Sequence, residues 1–125
     1  MAERYGSAND VLAVVRKTPV YLGIDLRDVN DRGLFGSTPL SVVITWGDPK
    51  AVRLLIDAGA DVNAVTELGR TLLHDAVSFG NSEIVQLLLE RGARTDQSDA
   101  IGDRPIDIAT RQNRNDLVDL LKSRN

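Results

Sequence analysis

The chain contains no cysteine, a single histidine and few aromatic residues. The lack of cysteine excludes a disulfide framework, thiol chemistry and cysteine-ligated zinc sites. With one histidine, the chain alone also cannot assemble a metal site from several imidazoles, and we expect no metal and no other cofactor. Only two phenylalanines, two tyrosines and one tryptophan are present, so the positions of these side chains are informative.

Positive charge and long apolar runs are also scarce. The formal net charge is -3 and the sequence pI is about 5.0, whereas a nucleic-acid-binding protein needs a basic stripe that displaces counterions. No apolar run approaches the roughly 20 residues that cross a bilayer, and the stretch V-L-A-V-V at 11–15 is too short for a secretory signal. We therefore expect a single cytoplasmic domain that binds neither nucleic acid nor membrane.

An internal repeat is the strongest pattern in the sequence. Residues 36–68 align with residues 69–101 without a gap, at an offset of 33, and nine of the 33 pairs are identical. The identical residues are glycines, small residues and aliphatic residues, which fix turns and packing: Gly36/Gly69, Thr38/Thr71, Leu40/Leu73, Gly47/Gly80, Val52/Val85, Leu54/Leu87, Leu55/Leu88, Gly59/Gly92 and Ala60/Ala93. A fixed period of this length is typical of solenoid proteins.

Each unit predicts two short helices and a connector. Thr38 followed by Pro39 predicts the start of a first helix, because proline at the first helical position loses no hydrogen bond. Gly47 predicts its end. Asp48, again followed by proline, predicts the cap of a second helix, and Asn81 is the corresponding cap one unit later.

Two segments carry the resemblance to a known family. F-G-S-T-P-L-S-V-V-I-T-W-G-D-P-K-A-V-R-L-L-I-D-A-G-A-D-V-N-A resembles an ankyrin repeat, and G-R-T-L-L-H-D-A-V-S-F-G-N-S-E-I-V-Q-L-L-L-E-R-G-A resembles the next one. The resemblance extends over about residues 28–122. It implies an all-α repeat solenoid, in which helix pairs stack into a curved array and short hairpin connectors project to one side.

We expect one domain of about three repeats with atypical ends. The expected units are a degenerate N-terminal repeat or cap (1–33), two repeats (34–66 and 67–99) and a C-terminal capping repeat (100–125). In the first unit, a helix is predicted over 10–17 with Ser7 or Asn9 as its cap. The alternation of Val20, Leu22, Ile24 and Leu26 predicts a short strand after it.

The stretch T-L-L-H-D-A contains the sole histidine, His74, directly before Asp75. An acid/base pair would need both side chains to converge, but helical neighbours at i and i+1 do not face each other. The resemblance implies instead that this imidazole hydrogen-bonds within and between repeats, near Thr71. No nucleophile, metal or phosphate-loop motif accompanies it. We therefore predict a scaffold role for His74 and no enzymatic activity; the alternative is an enzyme that uses His74.

The resemblance also implies where a partner binds, because partners of ankyrin proteins usually contact the hairpin tips and the concave side of the first helices. Carried over residue by residue, the predicted partner-binding set is Leu34, Phe35, Ser37, Thr45 and Trp46 in the first repeat, Glu67, Leu68, Arg70, Ser78 and Phe79 in the second, and Ala100, Ile101, Asp103, Arg111 and Gln112 in the third. Large apolar residues precede each repeat glycine, and aromatic residues precede two mid-repeat glycines. Such side chains dominate interface energies.

The leading hypothesis is a non-catalytic module that binds a folded protein partner, as an inhibitor, an immunity-type protein or an assembly factor. The alternative for the apolar residues is that they pack on one another between repeats. A second hypothesis is a self-associating structural protein, a homodimer formed through the apolar tips or the edge of the N-terminal strand. Of these oligomeric states, we expect a monomer.

Overall fold

A computed structural model of the chain describes residues 6–123, which contain seven α-helices. The helices are α1 (Ala8–Val15), α2 (Pro39–Trp46), α3 (Pro49–Asp57), α4 (Leu72–Phe79), α5 (Ser82–Glu90), α6 (Pro105–Arg111) and α7 (Asn115–Lys122). Short 3-10 turns lie at Pro19–Tyr21, Leu34–Gly36 and Glu67–Gly69. The described part of the chain has no strand, only an isolated antiparallel bridge between Val65 and Thr71.

The helices form two layers that continue from one repeat to the next. Helices α2, α4 and α6 pack side by side as the first layer, and α3, α5 and α7 form the second. Helix α1 packs against α3 and α2. Both layers bury aliphatic side chains in one continuous core, to which Leu40, Leu55, Leu73 and Leu88 contribute fully buried leucines. The predicted all-α repeat solenoid is confirmed.

Local capping explains where the helices begin and end. The side chains of Thr38, Asp48 and Asn81 each accept a hydrogen bond from a backbone N–H in the first turn of the following helix, as predicted. Gly47 ends α2 with a left-handed backbone, at φ 69°. The third repeat has Asn113 at the corresponding position, with φ 59°. Asparagine tolerates this conformation better than other residues with a side chain, so the turn survives the loss of glycine.

Hydrogen bonds between repeats recur with the period of the sequence. The side-chain amide of Asn30 donates to the Gly59 carbonyl at 3.0 Å and accepts from the backbone N–H of Asp61 at 2.8 Å. Asn63 repeats both contacts one unit later, with the Gly92 carbonyl at 3.2 Å and the backbone N–H of Arg94 at 2.8 Å. These contacts connect one repeat to the next, which accounts for both asparagines as parts of the scaffold.

The segment before the first repeat differs from its prediction. Helix α1 is present and is capped by Ser7, one of the two predicted caps, but it begins at Ala8. The predicted strand through Val20, Leu22 and Leu26 is wrong. Pro19 begins a 3-10 turn there, Leu22 is 77% exposed, and no neighbouring strand is present within residues 6–123 to pair with it. Alternating apolar residues alone do not form a strand when their backbone groups have no partner.

Tyr21 attaches this segment to the first repeat. Its side chain is buried, and its hydroxyl shares its one proton between the backbone carbonyls of Asp31, at 2.6 Å, and Ser37, at 3.2 Å. Burial, followed by the nearby Asp31 carboxylate, raises the pKa of Tyr21 to about 12. The phenol therefore stays neutral and keeps its proton for these hydrogen bonds.

Replacing Gly33 with alanine tests this attachment. A Cβ at Gly33 would lie 2.5 Å from the backbone oxygen of Val20 and 3.1 Å from the Tyr21 ring. The backbone there, at φ -98°, suits alanine, so only the clash is tested. We expect Gly33→Ala to lower the free energy of unfolding by about 1–3 kcal/mol, measured by urea denaturation with circular dichroism.

Gly6→Ala is the control for this measurement, because a Cβ there meets only Asp10 Oδ2, at 3.4 Å. We expect Gly6→Ala to be close to wild type. Wild-type stability in Gly33→Ala would contradict the close packing of the N-terminal turn on the first repeat.

Candidate protein-interaction surface

His74 occupies a structural position that recurs in all three helix pairs. At the third residue of each first-layer helix, a side chain accepts a hydrogen bond from the backbone N–H of the N-cap residue. The pairs are Ser41 Oγ with Thr38 N at 2.9 Å, His74 Nδ1 with Thr71 N at 3.0 Å, and Asp107 Oδ2 with Arg104 N at 2.8 Å. A serine, a histidine and an aspartate thus accept the same hydrogen bond in successive repeats, and the imidazole acts here as a hydrogen-bond acceptor.

The second ring nitrogen of His74 connects two repeats. Because Nδ1 accepts from the Thr71 N–H, the ring proton is on Nε2, which donates to the Asp103 carbonyl at 2.7 Å. The side chain is fully buried. The Asp75 carboxylate makes no hydrogen bond to this ring and instead pairs with Arg70 Nε at 3.0 Å. The geometry thus gives His74 the predicted scaffold role and leaves no His–Asp dyad.

Two hairpin tips hold large apolar side chains in solvent. Phe35, in the first tip (Leu34–Gly36), is 68% exposed, and Leu68, in the second tip (Glu67–Gly69), is 63% exposed. Both have a left-handed backbone, with φ of 60° and 63°. For a residue with a side chain this conformation costs about 1–2 kcal/mol. Each tip therefore combines an exposed apolar side chain with a strained backbone.

The third tip, at residues 100–102, is built differently. Ile101 is 81% exposed but has no positive φ; its branched Cβ makes that conformation especially unfavourable. The buried Asp99 carboxylate holds this turn, accepting from the backbone N–H groups of Ile101 at 3.0 Å and Asp103 at 2.9 Å. These hydrogen bonds, mainly that from Asp103, keep the pKa of Asp99 below its usual value, so the carboxylate is ionised at neutral pH.

A cleft of about 510 Å³ opens beside the first two tips. Seven of the predicted partner-binding residues line it: Phe35, Ser37, Thr45, Trp46, Glu67, Leu68 and Arg70. The remaining lining residues are Thr18, Pro19, Val20, Ser41, Val42, Thr66 and Asp75. Trp46, which the sequence placed on the recognition surface, is half-buried and packs against the core while facing this cleft.

The other predicted residues lie outside the cleft. Leu34 and Phe79 are exposed, and Arg111 pairs with Asp103 at 2.7 Å on the third repeat. Ser78 accepts a hydrogen bond from Arg70 Nη2 at 2.8 Å. Ala100 donates its backbone N–H to the Leu68 carbonyl, and Gln112 donates its side-chain amide to the Ser78 carbonyl. The structure therefore brings seven of the fifteen predicted residues together at one cleft and places the other eight outside it.

The N-terminal wall of the cleft is not predicted by the sequence. Thr18, Pro19 and Val20 form it; Thr18 and Pro19 lie between the predicted helix and the predicted strand, and Val20 begins that strand. They do not follow the 33-residue period, so no alignment of repeats could have indicated them. Val42 could have been found, because it lies one helical turn before Thr45 and therefore on the same face of α2.

Within residues 6–123, no group of three or more acidic or histidine side chains is placed to hold a metal ion. None of the helices in that part of the chain has the length and apolarity needed to cross a bilayer.

Replacing His74 tests the scaffold role. His74→Ala removes a buried ring and leaves the Thr71 N–H and the Asp103 carbonyl without these partners. We expect the free energy of unfolding to fall by about 2–4 kcal/mol, measured by thermal and urea denaturation. Ser41→Ala is the matched control at the same position one repeat earlier, where the side chain bonds only Thr38, and it should cost about 1 kcal/mol. A stable His74→Ala protein would contradict this role.

Comparison with known proteins agrees with the geometry. A family model for ankyrin repeats, comprising three copies of the repeat, matches residues 6–99. The match includes α1 through α5 and ends before α6. None of the curated proteins compared with the chain matches it. Because the family model covers most of the sequence and the structure has the expected helix pairs, the chain belongs to the ankyrin repeat family.

Proposed function

We propose that this protein is a non-catalytic binding module that recognises a protein partner through the first two tips and the cleft beside them. Ankyrin repeats generally mediate protein–protein interaction, and the family is typically non-catalytic. The observation that carries the proposal is the pair of exposed apolar side chains, Phe35 and Leu68, each held on a left-handed backbone at the rim of the cleft.

The left-handed backbone of Phe35 and Leu68 lowers stability, and their exposed apolar side chains lower solubility. Glycine or asparagine would adopt the same backbone with less strain, and both would expose less apolar surface. Strained residues that persist in a fold tend to occur at functional sites, because the surrounding structure must hold them. Phe35 and Leu68 fit this description, whereas the exposed Leu22 has an ordinary extended backbone, at φ -61°.

Hydrogen bonds hold the tips in place before any partner arrives. Arg32 Nη1 donates to the carbonyls of Gly36, at 2.7 Å, and Val65, at 2.8 Å, and so links the first tip to the connector of the second. The Leu68 carbonyl accepts from the backbone N–H of Ala100 at 2.8 Å. A surface that is already ordered loses less conformational entropy on binding. This rigidity supports recognition of a folded partner by Phe35 and Leu68.

The double substitution Phe35→Asn/Leu68→Asn separates binding from folding. Asparagine suits the left-handed backbone, so we expect the free energy of unfolding to stay the same or rise, by up to about 1 kcal/mol per site, and the melting temperature not to fall. We expect partner capture to be lost. The measurement is affinity capture from the native cell with quantitative mass spectrometry, beside thermal denaturation of each purified variant.

Leu22→Asn is the matched control, because Leu22 is 77% exposed and does not line the cleft. The proposal predicts that proteins captured by the wild type are also captured by Leu22→Asn and are missing from the double variant. If the double variant captures the same proteins in the same amounts, the two tips do not form the binding surface.

Self-association through the apolar tips is the second candidate, favoured by the exposure of Phe35 and Leu68. The other route to a homodimer, through the edge of an N-terminal strand, loses its basis because residues 19–21 form a 3-10 turn. Light scattering at rising protein concentration distinguishes the candidates: a constant monomer mass is expected, and a dimer that dissociates in the double variant would favour self-association. The cytoplasmic location and the division into units at 33, 66 and 99 stay predictions.

A further inference from the structure

The cleft beside the first two tips is large enough to receive side chains of a partner. Its volume of about 510 Å³ lies within the roughly 300–1,000 Å³ of ordinary ligand sites. Six of its lining residues are apolar: Pro19, Val20, Phe35, Val42, Trp46 and Leu68. Apolar pockets of this kind receive the anchor side chains that dominate protein interfaces.

The hydroxyl groups of the lining indicate which polar groups an occupant needs in addition to an apolar side chain. Four of these hydroxyls donate their single proton to backbone carbonyls of the protein itself: Thr18 to Val15 at 2.6 Å, Ser41 to Thr38 at 2.7 Å, Thr45 to Val42 at 2.6 Å and Thr66 to Arg70 at 3.2 Å. A hydroxyl has one donor and two acceptor lone pairs. What these four groups can offer an occupant is therefore acceptor oxygen, and Ser41 can offer less of it than the threonines because its Oγ already accepts from the Thr38 N–H.

The charged groups of the lining also favour an occupant with positive charge over one with negative charge. The guanidinium of Arg70 contacts three neighbours: Asp75 at 3.0 Å, Ser78 at 2.8 Å and the buried Asp99 at 3.6 Å. The Glu67 carboxylate is exposed and has no ion-pair partner among residues 6–123. The positive charge of the cleft is thus compensated within the protein, and Glu67 supplies an uncompensated negative charge at its rim.

From these observations we infer that the occupant of the cleft is a segment of a protein partner with a large apolar side chain and, close to it in sequence, a lysine or arginine. The apolar side chain enters between Trp46, Phe35 and Leu68, and the cation pairs with Glu67. An acidic segment is disfavoured, because it would bring negative charge to Glu67 and to acceptor oxygens. This inference rests on the proposed protein-binding function and specifies the chemistry of its partner.

The test begins with selection of binders from a random peptide library displayed on phage, using the full chain as bait. We expect the selected peptides to combine a large apolar residue with a nearby lysine or arginine. One selected peptide is then made with a fluorescent label, in its basic form and with the basic residue replaced by glutamine. Both forms are titrated by fluorescence anisotropy against wild type, Glu67→Gln and the control Glu83→Gln, which alters an exposed acid on α5.

The expected result is a coupling between Glu67 and the cation. Glu67→Gln should lower the affinity for the basic peptide by about three- to tenfold and leave the affinity for the glutamine peptide unchanged. The effect on the basic peptide should mostly disappear in high salt. Glu83→Gln should leave both affinities unchanged. Equal weakening of both peptides, an effect of Glu83→Gln as large as that of Glu67→Gln, or selection of acidic peptides would overturn the inference.

The double variant Phe35→Asn/Leu68→Asn distinguishes a result that overturns only the inference about the occupant from one that also overturns the proposed binding function. If peptides bind through the tips but show no coupling to Glu67, the inference about the cation is wrong and the binding function stands. If no peptide binds while a captured protein still depends on Phe35 and Leu68, the partner is recognised without an inserted segment, which also overturns the inference alone. If neither peptides nor proteins depend on the tips, the proposed function fails as well.

Discussion

Every α-helix in the described residues is only seven to nine residues long, and the rest of the structure depends on this constraint. Helices of this length are unstable alone, because the first turn costs more conformational entropy than its few hydrogen bonds return. Each also leaves four N–H and four carbonyl groups without helical partners at its ends. Caps and contacts with the neighbouring repeat must therefore supply the missing hydrogen-bond partners and the stabilisation that a short helix lacks.

The sequence predicts these local solutions well, because each depends on a few adjacent residues. Thr38, Asp48 and Asn81 cap their helices as expected, and Gly47 ends α2 with a left-handed backbone. The position of His74 in the repeat likewise predicts, from the sequence alone, a scaffold role rather than a catalytic one. Serine and aspartate accept the equivalent N–H in the other repeats, so the role belongs to the position rather than to the imidazole.

The N-terminal segment could not be predicted in the same way. Its conformation depends on contacts distant in sequence, such as the hydroxyl of Tyr21 on the carbonyl of Ser37 and the absence of a side chain at Gly33. The apolar alternation from Val20 to Leu26 carries no information about those contacts. Seven of the predicted binding residues nevertheless line one cleft, because the period places successive tips side by side whatever precedes them.

The third tip does not line the cleft and has polar contacts of its own. Asp99 there has replaced Thr66 of the preceding repeat; its carboxylate holds the turn around Ile101 and contacts Arg70. Polar groups on this side are thus engaged with each other, as are Asp103 and Arg111.

The N-terminal end of the array differs, because an irregular turn lies beside α2 there. That turn completes a cleft with apolar walls and an acid without an ion-pair partner among residues 6–123. In a repeat protein many regular positions hold neighbouring repeats together, whereas the tip position of Phe35 and Leu68 is exposed. Residues 18–20 do not follow the period, and because they line the same cleft as Phe35 and Leu68, they give this part of the surface a shape that the repeat alone does not specify.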